Sequence, residues 1–262
     1  MPNTSTSPSR SSLASLAGLA RLTRRTALAL AGGAVLAGLV GVPAASARDA
    51  SAGSVSAGGL PAGFEDCPAL PAGADPARWR CEVHTAAPRL TMGTVSVTLA
   101  PITMTHAEGP LPDGTAGQVW GAMHTTPTAV PGGLTGRAPA GRGPLALALL
   151  PEYGGRSDFY TGRFSLRFRL LNPLLPRTCL VGSDAPVDFA LKRSGPSRWI
   201  STDPPVIEFS AYDDAFTAPA AKDCGPLTGP LNRWLGLPAP AGNLLSYDAS
   251  YTFRTYDRLS IR

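Results

Sequence analysis

The segment Arg163–Leu171 reads RFSLRFRLL and has the strongest strand pattern in the chain. Apolar and polar side chains alternate along it, which places them on opposite faces of an extended chain. Such period-two alternation is typical of a β-strand with one buried face. The apolar face consists of Phe164, Leu166, Phe168 and Leu170.

Other stretches of the chain show related patterns. In Arg89–Pro101 the alternation is interrupted at Gly93, which predicts a β-bulge. Short strands joined by connections rich in proline and glycine predict an all-β protein, specifically a disulfide-stabilised β-sandwich. The remaining predicted strands are Gln118–Thr125, Leu145–Leu150, Val187–Leu191, Val206–Tyr212 and Tyr247–Phe253.

One short helix is predicted near residues 230–235. Pro230 suits the first turn of a helix, because the backbone N–H groups there have no hydrogen-bond partner within the helix. Gly236 can end the helix, and Pro238 follows where the helix cannot continue.

A segment at residues 127–144 divides the chain, with five glycines, four prolines and no acidic residue. It is either a linker between two small domains or a long loop within one, and the chain length fits both. We predict an N-terminal β-module at residues 64–126 and a C-terminal β-sandwich module at 145–262, with a shared core.

The first 47 residues have the pattern of a signal peptide. Arginines precede the apolar run Thr26–Val42, and the small residues of Ala45–Ala47 suit a signal peptidase. A retained transmembrane helix is the alternative, but a bilayer requires roughly 20 apolar residues and this run is shorter. We expect the mature chain to begin at Arg48 without a membrane anchor, and residues 48–63 to form a disordered tether.

The export route has two alternatives. Residues 23–28 read TRRTAL, which resembles a twin-arginine signal, but paired arginines before an apolar run also suit the general secretory route. Both routes lead out of the cytoplasm, so we predict a secreted or cell-wall-associated protein.

The charge of the chain is concentrated in the leader. The sequence has 23 lysines and arginines against 18 acids, and its leader holds four of the arginines and no acid. The rest of the chain is therefore close to neutral, without the basic stripe that binding to nucleic acid requires. We expect no nucleic-acid partner.

Four cysteines, Cys67, Cys81, Cys179 and Cys224, follow the leader. In an exported protein without a CxxC motif, disulfides are expected rather than a zinc or redox site. We predict the local pairings, Cys67 with Cys81 and Cys179 with Cys224, although four cysteines also allow two crossed pairings.

Several motifs stand out in the last 95 or so residues. They are Asn172–Leu175, Cys179–Gly182, Phe216–Ala220, Cys224–Gly225 and Leu235–Asn243. Together they resemble a group of secreted proteins of high-GC Gram-positive bacteria that has no assigned activity. The resemblance implies a secreted setting and supports the pairing of Cys179 with Cys224, but it implies no chemistry.

Catalytic motifs are absent from the sequence. It contains no GxSxG nucleophile elbow, P-loop or dinucleotide fingerprint, and the cysteines are assigned to disulfides. The three histidines are His84, His106 and His124. His106 and Glu108 could bind one metal ion, with His84 approaching from a neighbouring strand, but ordinary hydrogen-bonded histidines are the favoured interpretation.

Acidic residues offer two further hypotheses. A hydrolase could use two carboxylates that meet a histidine in one pocket. A calcium ion could bind where Asp184, Asp188, Asp203 and Asp213 meet at an end of the sandwich. Solvated turn residues are the favoured interpretation of these acids. The carboxylates considered for the hydrolase are Asp184, Asp188, Asp203, Glu208, Asp213 and Asp214.

We therefore predict a secreted or cell-wall-associated binding or structural protein, not an enzyme, with no catalytic, cofactor-binding or metal-binding residues. Its partner would be a protein, a wall polymer or an apolar ligand, and the protein itself a monomer. The loop Pro127–Pro144, with Trp120 before it, is the predicted contact surface. The alternatives are an extracellular carboxylate-dependent hydrolase and a metal-binding secreted module.

Overall fold

The structure is a computed structural model that describes residues 63–137 and 143–259. The predicted signal peptide and nearly all of the predicted tether lie outside the described residues. No helix in these two ranges combines the length and apolar character needed to cross a membrane.

The described chain consists mainly of β-strands, with one α-helix and four short 3₁₀ segments, which confirms the predicted all-β fold. In chain order the strands are β1 (Arg80–Ala86), β2 (Arg89–Met92), β3 (Val95–Thr98), β4 (Ile102–Pro110), β5 (Ala116–His124), β6 (Thr128–Val130), β7 (Leu147–Asp158), β8 (Arg163–Leu171), β9 (Leu180–Val181), β10 (Val187–Ala190), β11 (Lys192–Arg193), β12 (Arg198–Thr202), β13 (Pro205–Asp213), β14 (Ala221–Lys222) and β15 (Leu244–Thr255). The helix α1 spans Thr228–Leu235, and the 3₁₀ segments are Phe64–Asp66, Gly133–Thr135, Gly225–Leu227 and Tyr256–Arg258.

The strands form two antiparallel sheets. The first has the order β11-β13-β15-β1-β4-β5, with β12 paired to β13 and the β2–β3 hairpin paired to β15. The second has the order β14-β9-β8-β7-β6, with β10 paired to β8. Strands from both predicted modules therefore lie side by side in the first sheet.

One hydrophobic core joins the two sheets. Leu90 and Tyr247 of the first sheet are buried in the same cluster as Leu149 and Phe168 of the second. A smaller cluster, which includes Phe64, Trp79, Cys81 and Tyr256, covers the other side of the first sheet. As a result, both faces of β1 are buried.

The two disulfides are the predicted ones. Cys67 is bonded to Cys81, and Cys179 is bonded to Cys224. The first lies in the smaller cluster and the second in the main core.

The prediction of a bulge at Gly93 is wrong. Residues 89–98 form a hairpin, β2–β3, in which Met92 pairs with Val95 across a two-residue turn. Gly93 has a φ of 59°, a left-handed conformation that glycine adopts without strain and that tight hairpin turns need.

The helix and the 127–144 segment also differ in detail from the sequence prediction. Helix α1 begins two residues before Pro230 and ends as predicted, with Gly236 in a left-handed conformation. The segment predicted to be a loop or linker includes a strand, β6, and a buried residue, Leu134. Residues 138–142 of that segment lie outside the described ranges.

Candidate functional site

A group of ionisable side chains lies at one end of the inward face of the first sheet. Strands β1 and β4 are neighbours, with Glu82 opposite His106 and Arg80 opposite Glu108. Because side chains two residues apart share a face of a strand, His84 lies on the same face as Glu82. This arrangement brings a carboxylate and two histidines together inside the sandwich.

Glu82 is at the centre of this group. Its Oε2 atom lies 3.1 Å from His84 Nε2 and 3.7 Å from His106 Nε2. One ligand atom from each of the three side chains lies within 4.8 Å of the other two, and all three residues are buried. They are the only group of three or more metal-ligating side chains within residues 63–137 and 143–259.

The Arg80 guanidinium lies between Glu82 and Glu108 and contacts the Oε1 atom of each. The Nε atom of Arg80 lies 2.6 Å from Glu82 Oε1, and its guanidinium donates to Glu108 Oε1 at 2.5 Å. Burial opposes the charge of Arg80, but the two carboxylates outweigh it and raise the pKa of Arg80. Burial would raise the pKa of Glu108, but His106 and Arg80 together lower it. Both carboxylates thus present Oε1 to the arginine and Oε2 to the histidines.

His106 is fully buried, and its ring nitrogens have no hydrogen-bond partner among the described residues. Its Nε2 atom lies 3.6 Å from Glu108 Oε2, which is longer than a normal hydrogen bond. One face of the ring is stacked against Phe159 with 3.6 Å between ring centroids. Buried polar atoms of this kind are rare in native proteins and call for a physical explanation.

His84, unlike His106, has a hydrogen-bond partner. Its ring stacks on Tyr251, with centroids 4.9 Å apart, and its Nε2 atom is bonded to Glu82. Burial lowers the pKa of His84, because the charged ring loses its hydration, although the bond to Glu82 opposes this effect. The neutral imidazole is therefore favoured.

A cavity of about 360 Å³ adjoins this group between the two sheets. Glu82 and His84 lie in its wall, and Trp120 and Tyr153 stack against each other there, with ring centroids 3.9 Å apart. The turn after β7 closes one side, since the backbone N–H of Phe159 donates to the Gln118 side chain at 3.0 Å.

Two β-bulges shape the cavity, one in each sheet. In β5 the register with β4 shifts between Met104 and His106, so Trp120 and Met123 both face the cavity. In β7 the register with β8 shifts between Tyr153 and Ser157. Bulges redirect side chains locally and are common beside functional sites. Period-two alternation along the predicted strand Gln118–Thr125 would place Trp120 and Met123 on opposite faces, and the β5 bulge is the reason that they share one.

The structure groups two of the three residues of the metal hypothesis. His84 and His106 come together around Glu82, whereas Glu108 approaches only His106, with 3.6 Å between Oε2 and Nε2. His124, the third histidine of the chain, is exposed and bonded to Asp66 at 2.8 Å. Glu82 was missed. The sequence shows two tripeptides, Glu82-Val83-His84 and His106-Ala107-Glu108, that each place a glutamate two residues from a histidine, but their pairing on neighbouring strands is seen only in the structure.

The six acids considered for a hydrolase do not meet. Asp184, Asp188, Glu208 and Asp214 each pair with a different basic residue, namely Lys222, Arg156, Arg198 and Lys192. The Asp213 side chain accepts hydrogen bonds from the backbone of Ala190 and Ala215, and Asp203 lies in the β12–β13 turn. None of the six lines the cavity, so neither the hydrolase nor the calcium hypothesis is supported by these residues.

The described residues of the predicted contact surface lie in different environments. Trp120 lies in the cavity against Tyr153, whereas Pro127, Pro131 and Thr135 of the loop are exposed. In the described part of that loop, Val130 and Leu134 are buried, and Trp234 donates to Gly133 O at 2.7 Å.

Comparison of the chain with protein-family models, with curated proteins and with solved structures gave no match. The geometry of the cavity and its ionisable group is therefore the basis of the functional proposals below.

Proposed function

We propose that the protein is an exported binding module that holds a small molecule in the cavity between its two sheets. The volume of about 360 Å³ falls within the range of small-ligand sites, which are mostly apolar with a few placed polar groups. The exported setting follows from the signal-peptide pattern of residues 1–47.

The observation that carries this proposal is the cluster of charged side chains inside an aromatic-lined cavity. A purely structural sandwich core gains stability by burying apolar groups, whereas buried charges cost free energy unless they are paired. Here Glu82 is 4% exposed and lies in the cavity wall. Retaining such a group where apolar packing would serve folding better is typical of a binding site.

The lining favours a flat ligand with an anionic end. The rings of Trp120, Tyr153 and Tyr251 offer aromatic faces for stacking. Arg163 and Arg193 add positive charge to the wall, and the Arg193 guanidinium lies 4.0 Å from the centroid of the Phe209 ring. A planar carboxylate would thus find both an apolar surface and a charged partner.

The proposal is tested by calorimetric titration with 2-naphthoate, and with the neutral 2-naphthalenemethanol, in a chelating buffer that excludes metal. Met123→Trp should weaken binding of both compounds, because the larger indole would occupy part of the cavity. Leu174→Trp is the matched control, since Leu174 is 60% exposed and lies outside the cavity.

A charge variant adds a second readout. Arg193→Gln should weaken naphthoate binding about 10-fold and leave the alcohol unaffected, because only the anion uses the guanidinium. Equal affinity for naphthoate in the wild type and in Met123→Trp would contradict the proposal.

A further inference from the structure

The geometry points to a divalent transition-metal site formed by Glu82, His84 and His106. This inference goes beyond small-molecule binding and does not depend on it. A carboxylate oxygen and two imidazole nitrogens are ligands that zinc uses in proteins, and we infer a site of the zinc class.

The distances suit a shared ion. At zinc–ligand distances of about 2.0 to 2.1 Å, two ligand atoms of a tetrahedral centre lie about 3.3 Å apart. Glu82 Oε2 lies 3.1 Å from one histidine Nε2 and 3.7 Å from the other. The ligand atoms of the three side chains lie within 4.8 Å of one another, so small side-chain rotations would bring them to one ion.

Arg80 prepares the carboxylate for this role. It lies beside Oε1 of both Glu82 and Glu108, so the Oε2 atoms are turned toward the histidines. Ligating carboxylates in metal sites are usually held by such an outer partner, which fixes their orientation. Arg80 is therefore a positioning residue, and it leaves the Oε2 side for a cation.

His106 supplies an independent observation. It is fully buried, and its Nε2 atom is directed toward Glu82 and Glu108 at distances too long for normal hydrogen bonds. A buried nitrogen without a partner costs free energy in folding. A metal ion bound to the Oε2 atom of Glu82 would give the His106 Nε2 atom a partner.

The site also faces the cavity. Glu82 and His84 lie in the cavity wall, whereas His106 lies beneath Phe159. Zinc sites that bind an exogenous ligand have this arrangement: three protein ligands hold the ion, and its fourth position is open. A small molecule in the cavity could therefore coordinate the ion directly.

The test uses untagged protein, so that the three histidines of the chain are the only ones present. Zinc binding is measured by calorimetry and by metal analysis after dialysis. We expect one zinc per chain, with affinity reduced at least about 100-fold in His84→Ala and in Glu82→Gln. His124→Ala is the matched control, because His124 is exposed, is bonded to Asp66 and is not one of the three grouped ligands, and this variant should bind zinc as the wild type does.

Wild-type protein gives a second measurement that does not depend on whether the variants fold. X-ray absorption at the zinc edge should show two imidazole ligands and oxygen donors. Three outcomes would overturn the inference: no zinc retained by the wild type, a spectrum without two imidazoles, or zinc binding that is lost in His124→Ala and kept in folded Glu82→Gln.

Discussion

Two buried tyrosines differ in what their hydroxyl groups contact. Tyr256 donates a hydrogen bond to the carbonyl of Pro68 at 2.7 Å, whereas the Tyr247 hydroxyl is buried without a partner among the described residues. Burial raises the pKa of Tyr256 to about 12, and burial also raises the pKa of Tyr247. The neutral phenol is favoured in the folded protein at both positions.

These raised pKa values predict a loss of stability in alkaline solution. Tyrosine in the unfolded chain has a pKa of about 10, so the folded state holds its phenol protons more tightly. The resulting stabilisation is complete below pH ~10 and declines as the pH rises through about 12, the pKa of folded Tyr256. Urea unfolding at a series of pH values should show this decline, together with late ionisation in the tyrosinate absorbance.

Phenylalanine variants separate the two tyrosines. At neutral pH, Tyr256→Phe should cost about 1 kcal/mol, because Pro68 loses its hydrogen bond, and Tyr247→Phe should be neutral or stabilising. Both variants should show a shallower alkaline decline. Equal losses of stability at neutral pH in the two phenylalanine variants would contradict this explanation.

At the scale of the elements, the β2–β3 hairpin depends on Gly93. A Cβ atom at this position would lie 2.2 Å from the carbonyl oxygen of Leu235, at the end of helix α1. Gly93→Ala should destabilise the protein by about 3 kcal/mol, through overpacking added to left-handed backbone strain.

Gly114→Ala is the control for Gly93→Ala. Gly114 also has a positive φ, 87°, but a Cβ there meets no atom of the described residues within 4 Å. Gly114→Ala should therefore lower the free energy of unfolding by only about 1 kcal/mol, which is the cost of the left-handed backbone alone. Chemical denaturation measures both, and equal costs would show that the contact with α1 adds nothing.

Strands β1 and β4, which carry the ionisable cluster, could not be predicted from alternation. Cys81 and Val83 are buried on one face of β1 in the smaller cluster, and Glu82 and His84 are buried on the other. Charged and apolar residues are thus both interior, and the usual match between polarity and exposure fails. By contrast, the predicted bounds of Arg163–Leu171 match β8, and from Leu166 onward the burial alternates as the sequence does, although the polar Ser165 is also buried.

The bulge in β5 shows a second limit of the sequence. A Cβ at Gly121 would lie 2.6 Å from Asp66 O and 2.8 Å from Thr105 O, so glycine is required where the chain kinks. A lone glycine in a strand indicates a bulge only weakly. The side on which Trp120 and Met123 point could therefore not be derived from period-two counting.

At the scale of the whole molecule, the two halves of the chain are joined through β1 and β15. Arg80 pairs with Thr255 and Ala86 with Ala249, so the first strand of the predicted N-terminal module lies against the last strand of the C-terminal one. Pairings between such distant segments leave no local signal. The sandwich and its disulfides were predictable from local patterns, but this neighbour relation, and with it the site, was not.

The two disulfides should have separable effects, because they lie in different parts of the molecule. Cys179–Cys224 spans 45 residues and lies in the main core, whereas Cys67–Cys81 spans 14 and ends next to Glu82. On the loop-entropy model, replacing each pair by serines should cost about 4 and about 3 kcal/mol of unfolding free energy, respectively.

The disulfide that contributes less to stability, Cys67–Cys81, should matter more for ligand binding. Loss of Cys67–Cys81 frees the segment that places Asp66 and Pro68 against β5 and Tyr256, so β1 should hold the cluster less firmly. We expect the Cys67→Ser/Cys81→Ser variant to bind zinc and 2-naphthoate more weakly than the Cys179→Ser/Cys224→Ser variant does. Thermal unfolding and calorimetric titration of the two variants measure stability and binding separately. A larger binding defect in the variant that lacks Cys179–Cys224 would mean that the site depends on the main core rather than on the N-terminal disulfide.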